Sequence, residues 1–312
     1  MEAWIKHKAD PYAVRGADGK YYFTATAPKY DYIALRRSDD LYSLPEAEEK
    51  IIWKKHDSGE MSGYIWAPEM HFIDGAWYIY FAASRADNVW HIRPCALKCE
   101  GDPMEDEWVE MGRLQAAEGD GFSFHSFSLD ATVFENSGKH YLVWAEKIGV
   151  WKGISNLCIA ELETPVRLKT KQVILSTPCY DWERVDEWVE EGPAVLKHDG
   201  RIYLTYSASA TGACYCMGML SCGEGADVLD PQSWTKERRP VLETDPQRRV
   251  FGPGHNSFVK DSDGNDICLF HARDFEKIEG DPLDDINRHA HLLKVTYDEN
   301  GKPVFSLENA IN

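Results

Sequence analysis

A chain of 312 residues, 43% hydrophobic and 28% charged, has the composition of a soluble globular protein and is long enough for a large core. Its net charge of −18 argues against nucleic acid, because gripping a phosphate backbone takes clustered Lys and Arg. No run approaches the roughly 18 apolar residues of a membrane-spanning helix, so neither nucleic acid nor membrane is the expected partner.

In chain order, one unit comes five times: a short apolar strand, a Gly-containing turn and a second strand of alternating character. The first copy is Asp10-Pro11-Tyr12-Ala13-Val14, the turn at Gly19, then Tyr21-Tyr22-Phe23-Thr24-Ala25. The second runs from Ala67-Pro68-Glu69-Met70-His71-Phe72 through Asp74-Gly75 into Trp77-Tyr78-Ile79-Tyr80-Phe81. The third pairs Asp130-Ala131-Thr132-Val133-Phe134 with His140-Tyr141-Leu142-Val143-Trp144 around Ser137-Gly138. The fourth is Glu191-Gly192-Pro193-Ala194-Val195-Leu196, turning at Asp199-Gly200 into Ile202-Tyr203-Leu204-Thr205-Tyr206. The fifth is Gly254-His255-Asn256-Ser257-Phe258-Val259, turning at Asp263-Gly264 into Ile267-Cys268-Leu269-Phe270-His271. Alternation bounded by such turns is a hairpin signal.

The turn glycines step by 56, 63, 62 and 64 residues, which is a repeat. Each step has room for two more strands: Tyr32–Arg36 and Ile51–Trp53, Asn156–Leu162 and Lys171–Leu175, Tyr215–Leu220 and Pro240–Leu242, His291–Val295 and Pro303–Phe305. Four short antiparallel strands repeated five times, with no convincing long helix, predict an all-β, five-bladed β-propeller filling residues 1–312 as a single domain. A pair of β-sandwiches would show no fixed step. In a propeller the first strand of each repeat lines the central channel, so Asp10, the Glu69 region, Asp130, Glu191 and His255 converge at one mouth. Asp and Glu also precede strands as plain turn formers, but mutually repelling carboxylates gathered in one funnel suggest chemistry.

At these residues the chain resembles glycoside hydrolase family 43, a family of five-bladed propellers. Asp10-Pro11 resembles the context of the family's general base, Leu129-Asp130-Ala131 that of its pKa-tuning carboxylate, and Glu191-Gly192-Pro193 that of its general acid. Trp66-Ala67-Pro68-Glu69 resembles its second blade and His271-Ala272-Arg273 its fifth-blade Arg segment. The resemblance implies inverting hydrolysis: Glu191 protonates the leaving oxygen and Asp10 activates water from the opposite face. Desolvation and a neighbouring negative charge would raise the Glu191 pKa, Asp130 supplying that charge while it holds Glu191 or a sugar hydroxyl. Such carboxyls stand roughly 6.5–9.5 Å apart. Glu190 is the rival to Glu191, but neighbours on a strand point to opposite faces.

Arg273 is a candidate to orient the sugar or Glu191, against a structural ion pair. Trp66, Trp90 and Phe251 are candidates to stack on a pentose ring, against plain packing, and His71 is a further candidate to reach the pocket. His255 resembles the family's channel histidine, beside which a structural calcium is held through waters in many members. A metal-free channel histidine is the alternative, and no cofactor is required for the chemistry.

The implied partner is a pentose-containing oligosaccharide. The His-Ala-Arg segment and Asn287-Arg288-His289-Ala290 resemble the family's arabinan-trimming enzymes, so exo-acting α-L-arabinofuranosidase is the expected activity. β-D-Xylosidase is the near alternative. A non-catalytic sugar-binding propeller would lack a carboxylate, and fructan hydrolases carry signatures absent here. The eight cysteines show no zinc-type spacing, and several fall in strand-like runs as small hydrophobes. Free thiols, with no room for a signal peptide before Asp10, predict a cytoplasmic protein.

Overall fold

The computed structural model describes residues 1–148 and 153–311. Five small antiparallel sheets follow one another along the chain, each built outward from the channel in sequence order. Blade I consists of Ala9–Arg15, Tyr21–Thr26, Tyr32–Ser38 and Lys50–Lys54, and blade II of Ile65–Ile73, Ala76–Arg85, Asn88–Cys99 and Val109–Arg113. Blade III consists of Ser128–Asn136, Lys139–Ile148, Ile154–Thr164 and Val173–Ser176, the third strand also pairing with Arg167–Leu168. Blade IV consists of Glu190–His198, Arg201–Ala208, Cys216–Gly223 and Thr235–Lys236, and blade V of Phe251–Lys260, Asp266–Arg273, His289–Lys294 and Ala310–Ile311. Among the described residues the only helical segments are four short 3-10 turns.

The blades hold together because both faces of each sheet are apolar. In the second strand of blade II, Trp77, Ile79 and Phe81 pack with Tyr22, Ile33 and Leu35 of blade I. The intervening Tyr78 and Tyr80 pack with Leu142 and Trp144 of blade III. Tyr141 and Val143 then meet Ile202, Leu204 and Tyr206 of blade IV, and Tyr203 meets Cys268 and Phe270 of blade V. Ile267 and Leu269 close the ring on Tyr21 and Phe23 of blade I. A period of two thus feeds two cores at once, which is why these strands lack a polar face. The ring is tied at its ends: Ile5 bridges Ala290 on the third strand of blade V.

Two outer strands differ from expectation. Pro240–Leu242 makes only a bridge to Met217, and the fourth strand of blade IV is Thr235–Lys236. Pro303–Val304 leaves blade V to pair with Thr296–Tyr297, and Ala310–Ile311 takes the edge instead. Outer strands touch only one neighbour, so their apolar signal is weak and adjacent short segments compete for the edge.

Candidate active site

The inner strands share a distortion that builds the site. Each has a register shift near its start. Left-handed residues sit at these shifts: Asp10 at φ 53°, Ala67 at 46°, Asp130 at 55°, Gly192 at 54° and, in blade V, which is shifted twice, Gly252 at 63° and His255 at 45°. A bulge turns a side chain out of the ordinary alternation, and here it aims side chains into the channel mouth. Each non-Gly residue so held costs of order 1–3 kcal/mol, a cost typical of functional sites. Blade IV places Gly at the equivalent position, so its carboxylate, Glu191, stands one residue earlier. Gly192 has a reason: a Cβ there would lie 3.1 Å from His255 Cγ.

Asp10, Asp130, Glu191 and His255 all line one cavity of about 370 Å³, together with Trp66, Trp90, Phe127, Lys147 and Arg288. Asp10 is the most heavily supported. Thr26 Oγ1 donates to its Oδ2 at 2.5 Å and in turn accepts the Ala67 N–H at 2.7 Å. Its Oδ1 lies 3.2 Å from His255 Nδ1, 3.2 Å from His271 Nδ1 and 3.5 Å from Arg288 Nη1. Burial alone would raise the Asp10 pKa, but the charges of His255 and Arg288 act against it and the carboxyl is held well below the usual range. Burial pushes His271 down to about 3, so its ring is neutral and its Nδ1 accepts the Asp10 N–H at 3.1 Å.

Glu191 has the opposite balance. Burial pushes its pKa up and the Asp10 charge adds to the rise, against His255, the Tyr215 hydrogen bond and Lys147. Tyr215 donates its hydroxyl to Glu191 Oε1 at 2.9 Å. Asp130 accepts the Gly192 N–H at 3.0 Å, and burial, with Glu191 and Asp10 nearby, raises it to about 7 against the pull of His255. The two carboxyls therefore resist joint ionisation. Desolvation is the first cause for both, as expected for Glu191, and the neighbouring charge that adds to the rise of Glu191 is that of Asp10. An ionised carboxylate and a protonated carboxyl in one pocket can serve as base and acid.

Glu190 turns the other way, as strand alternation requires. Fully buried, it sits with Lys236 Nζ at 2.5 Å and Ser176 Oγ at 3.1 Å, outside the cavity.

The aromatic candidates divide. Trp66 stacks on Tyr64 with centroids 5.0 Å apart, and Trp90, 56% exposed, stands edge-on to it at the rim. Phe251 is buried and outside the cavity lining. Arg273 is also withdrawn: it binds Asp285 at 3.1 Å and the Pro282 carbonyl at 3.1 Å, fixing the loop that forms one pocket wall. This is the structural ion pair, and the arginine in the pocket is Arg288. His71 lies on a different cavity, of about 410 Å³, farther along the inner strands, where it meets Glu69 Oε2 at 3.0 Å. It stands four residues past the bulge at Ala67, about 13 Å along an extended strand.

His255 presents Nδ1 to Asp10 and, at 3.9 Å, to Asp130, and those charges raise its pKa against the effect of burial. Its ring is committed to an ion pair. Among the described residues no three His, Cys, Asp or Glu side chains converge as metal ligands, so the residues present do not fit a directly coordinated cation.

Arg288, Tyr215, Thr26 and Lys147 escaped the reading of the repeat. Thr26 and Lys147 lie at the ends of second strands, and Tyr215 and Arg288 in the loops just before third strands, where no equivalent position draws attention to them. Arg288 alone carried a signal, in the motif Asn287-Arg288-His289.

Comparison with known proteins agrees with this geometry. The family model "Glycosyl hydrolases family 43" matches residues 5–303. Over 302 residues the chain is 45% identical to the extracellular exo-α-(1→5)-L-arabinofuranosidase of Streptomyces avermitilis, covering 96% of this chain and 62% of that protein. The protein of the same name from Streptomyces chartreusis is 45% identical over 280 residues, 89% of this chain and 84% of the other. The crystal structure of α-L-arabinofuranosidase from Lactobacillus brevis superposes with a TM-score of 0.91 at 47% identity, covering 97% of this chain and 95% of that one. The chain thus spans about 62% of the first of these relatives.

The cytoplasmic expectation is overturned, since both Streptomyces relatives are named extracellular. All eight cysteines are free, and six are buried, three of them in the cores between blades II, III and IV. Such thiols are chosen for size, so they say little about redox compartment. From blade order, carboxylates and sequence likeness together, the chain belongs to glycosyl hydrolases family 43.

Proposed function

We propose that the chain is an inverting, exo-acting α-L-arabinofuranosidase that releases terminal arabinofuranose from arabinan or arabino-oligosaccharides. The observation that carries this reading is the split between Asp10, whose pKa His255 and Arg288 help to hold down, and Glu191, whose pKa burial raises in the same pocket. The names of the relatives at 45–47% identity supply the sugar.

In this mechanism a water lies against Asp10. As it attacks the anomeric carbon, Asp10 accepts a proton from it, while Glu191 passes its own proton to the departing glycosidic oxygen. Asp130, fixed by the Gly192 N–H, holds a sugar hydroxyl and discourages ionisation of Glu191. Trp66 and Trp90 cover the apolar face of the sugar. The wall of Asp281, Pro282 and Leu283, pinned by Arg273, makes the site a pocket and so favours chain ends.

The test is hydrolysis of paired p-nitrophenyl α-L-arabinofuranoside and β-D-xyloside by the wild type and Glu191→Ala. Arabinofuranoside turnover that collapses in the variant supports the reading. Preference for the xyloside moves the substrate to xylan, and no turnover of either overturns the activity.

A further inference from the structure

Tyr215 precedes the third strand of blade IV and has no counterpart in the repeat. Its ring is 2% exposed and sits in a slot that the backbone is shaped to make. A Cβ on Gly254 would stand 2.5 Å from Tyr215 Cε1, and one on Gly252 would stand 3.4 Å from Tyr215 Cβ. The opposite face of the slot is His271, whose ring lies parallel to the tyrosine within 3°, centroids 5.6 Å apart. His271 in turn holds Nδ1 within 3.1 Å of the Asp10 backbone nitrogen and 3.2 Å of its Oδ1. A stack of two rigid rings therefore links the base to the acid, and the tyrosine has no freedom to swing away.

We propose that Tyr215 is a positioning residue that decides which oxygen of Glu191 carries the catalytic proton. Its hydroxyl donates to Glu191 Oε1 at 2.9 Å. An oxygen that accepts this bond is the carbonyl oxygen of the neutral acid, which leaves the proton on Oε2. As the glycosidic C–O bond breaks, that proton moves from Oε2 to the leaving oxygen, and the water's proton moves to Asp10. Glu191 is then a carboxylate, and the bond from Tyr215 becomes charge-assisted and stronger. Tyr215 thus favours the state after proton transfer over the state before it, which is what accelerates a step. The inference rests on the reading of Glu191 as the acid.

The experiment compares Tyr215→Phe, Glu191→Gln and wild type on aryl α-L-arabinofuranosides of graded leaving-group pKa and on arabinobiose. Phenylalanine keeps the stack on His271 and removes only the hydroxyl. A leaving group as good as 2,4-dinitrophenolate needs little protonation, whereas a sugar alkoxide needs it fully. Tyr215→Phe is expected to lose roughly 10- to 100-fold in kcat/KM on arabinobiose and only a few-fold on the dinitrophenyl glycoside. Equal loss across the series, or none, overturns the proposal. If Glu191→Gln is also flat, the acid assignment fails with it; if Glu191→Gln is steep while Tyr215→Phe is flat, only the tyrosine's role falls.

A second readout needs no turnover. Tyr215 stabilises the ionised form of Glu191, so its removal is expected to raise the Glu191 carboxyl titration, followed by carbon-13 NMR, by roughly one unit. An unmoved midpoint overturns the proposal irrespective of substrate.

Discussion

The same five inner strands line two cavities, and the two differ in how the backbone runs. At one mouth each strand is bulged and left-handed, and the cavity collects Asp10, Asp130, Glu191, His255 and Arg288. Farther along, in the regular part of those strands, the other cavity is lined by Tyr12, Thr132, Ala194, Lys197, Ser257 and Lys260. Regular strands turn every second side chain outward or inward by rule, which suits packing between blades. Gathering three carboxyls from distant blades takes a local break in that rule, and the break carries strain that the rest of the propeller must offset.

The largest effect should come from Asp10→Asn, which keeps the shape of the bulged mouth and removes the carboxylate proposed as base. Hydrolysis of an arabinofuranoside should fall about 10²–10⁴-fold with folding intact. A loss under tenfold would mean that another group activates water.

Next comes Gly192→Ala, which tests the bulge itself. Ala67 shows that a Cβ is accepted at a left-handed bulge position, but at 192 it would press on the His255 ring. Left-handed geometry and this contact together are expected to destabilise by at least about 1–2 kcal/mol in denaturant melts. Activity should fall too, because the imidazole is displaced from Asp10. Unchanged activity would show that His255 does not organise the base.

The pH profile of kcat/KM sharpens the same comparison. Asp10 must be ionised, and its pKa is depressed, so the acid limb should lie below the usual carboxylate range. Glu191, as the proposed acid, must be protonated, and burial raises its pKa, so the alkaline limb should lie above the usual glutamate range. An alkaline limb at an ordinary glutamate pKa would contradict the burial argument.

The smallest effect is expected at the far cavity. His71→Ala should barely change hydrolysis, yet leaving buried Glu69 without its partner should cost about 1–3 kcal/mol of stability, read as a lower Tm. A large loss of activity would tie the far cavity to the chemistry.

Much of this was legible in the sequence, because a propeller repeats. Five turn glycines set the blades, and blade-to-blade equivalence of Asp10, Asp130 and His255 identified the mouth before any coordinates. Glu191 was legible through its Gly-Pro corner, although only the backbone shows why it sits one residue out of step with the others. What the repeat could not give were the groups that tune the carboxyls. Arg288 and Tyr215 belong to irregular segments, and Arg273 was the more prominent arginine in sequence but turns to Asp285 instead. His71 misled because a strand entrance does not announce how far along the channel a residue lies. Phe251 begins its strand at an entrance and is nonetheless buried away from the cavity.

The most direct test of the central claim, that Asp10 directs water while Glu191 protonates the leaving oxygen, is the configuration of the first product. Proton NMR should follow an α-L-arabinofuranoside during early turnover, before mutarotation. β-L-Arabinofuranose appearing first is the predicted result. α-L-Arabinofuranose appearing first would require a covalent intermediate and would contradict the roles assigned to the two carboxyls.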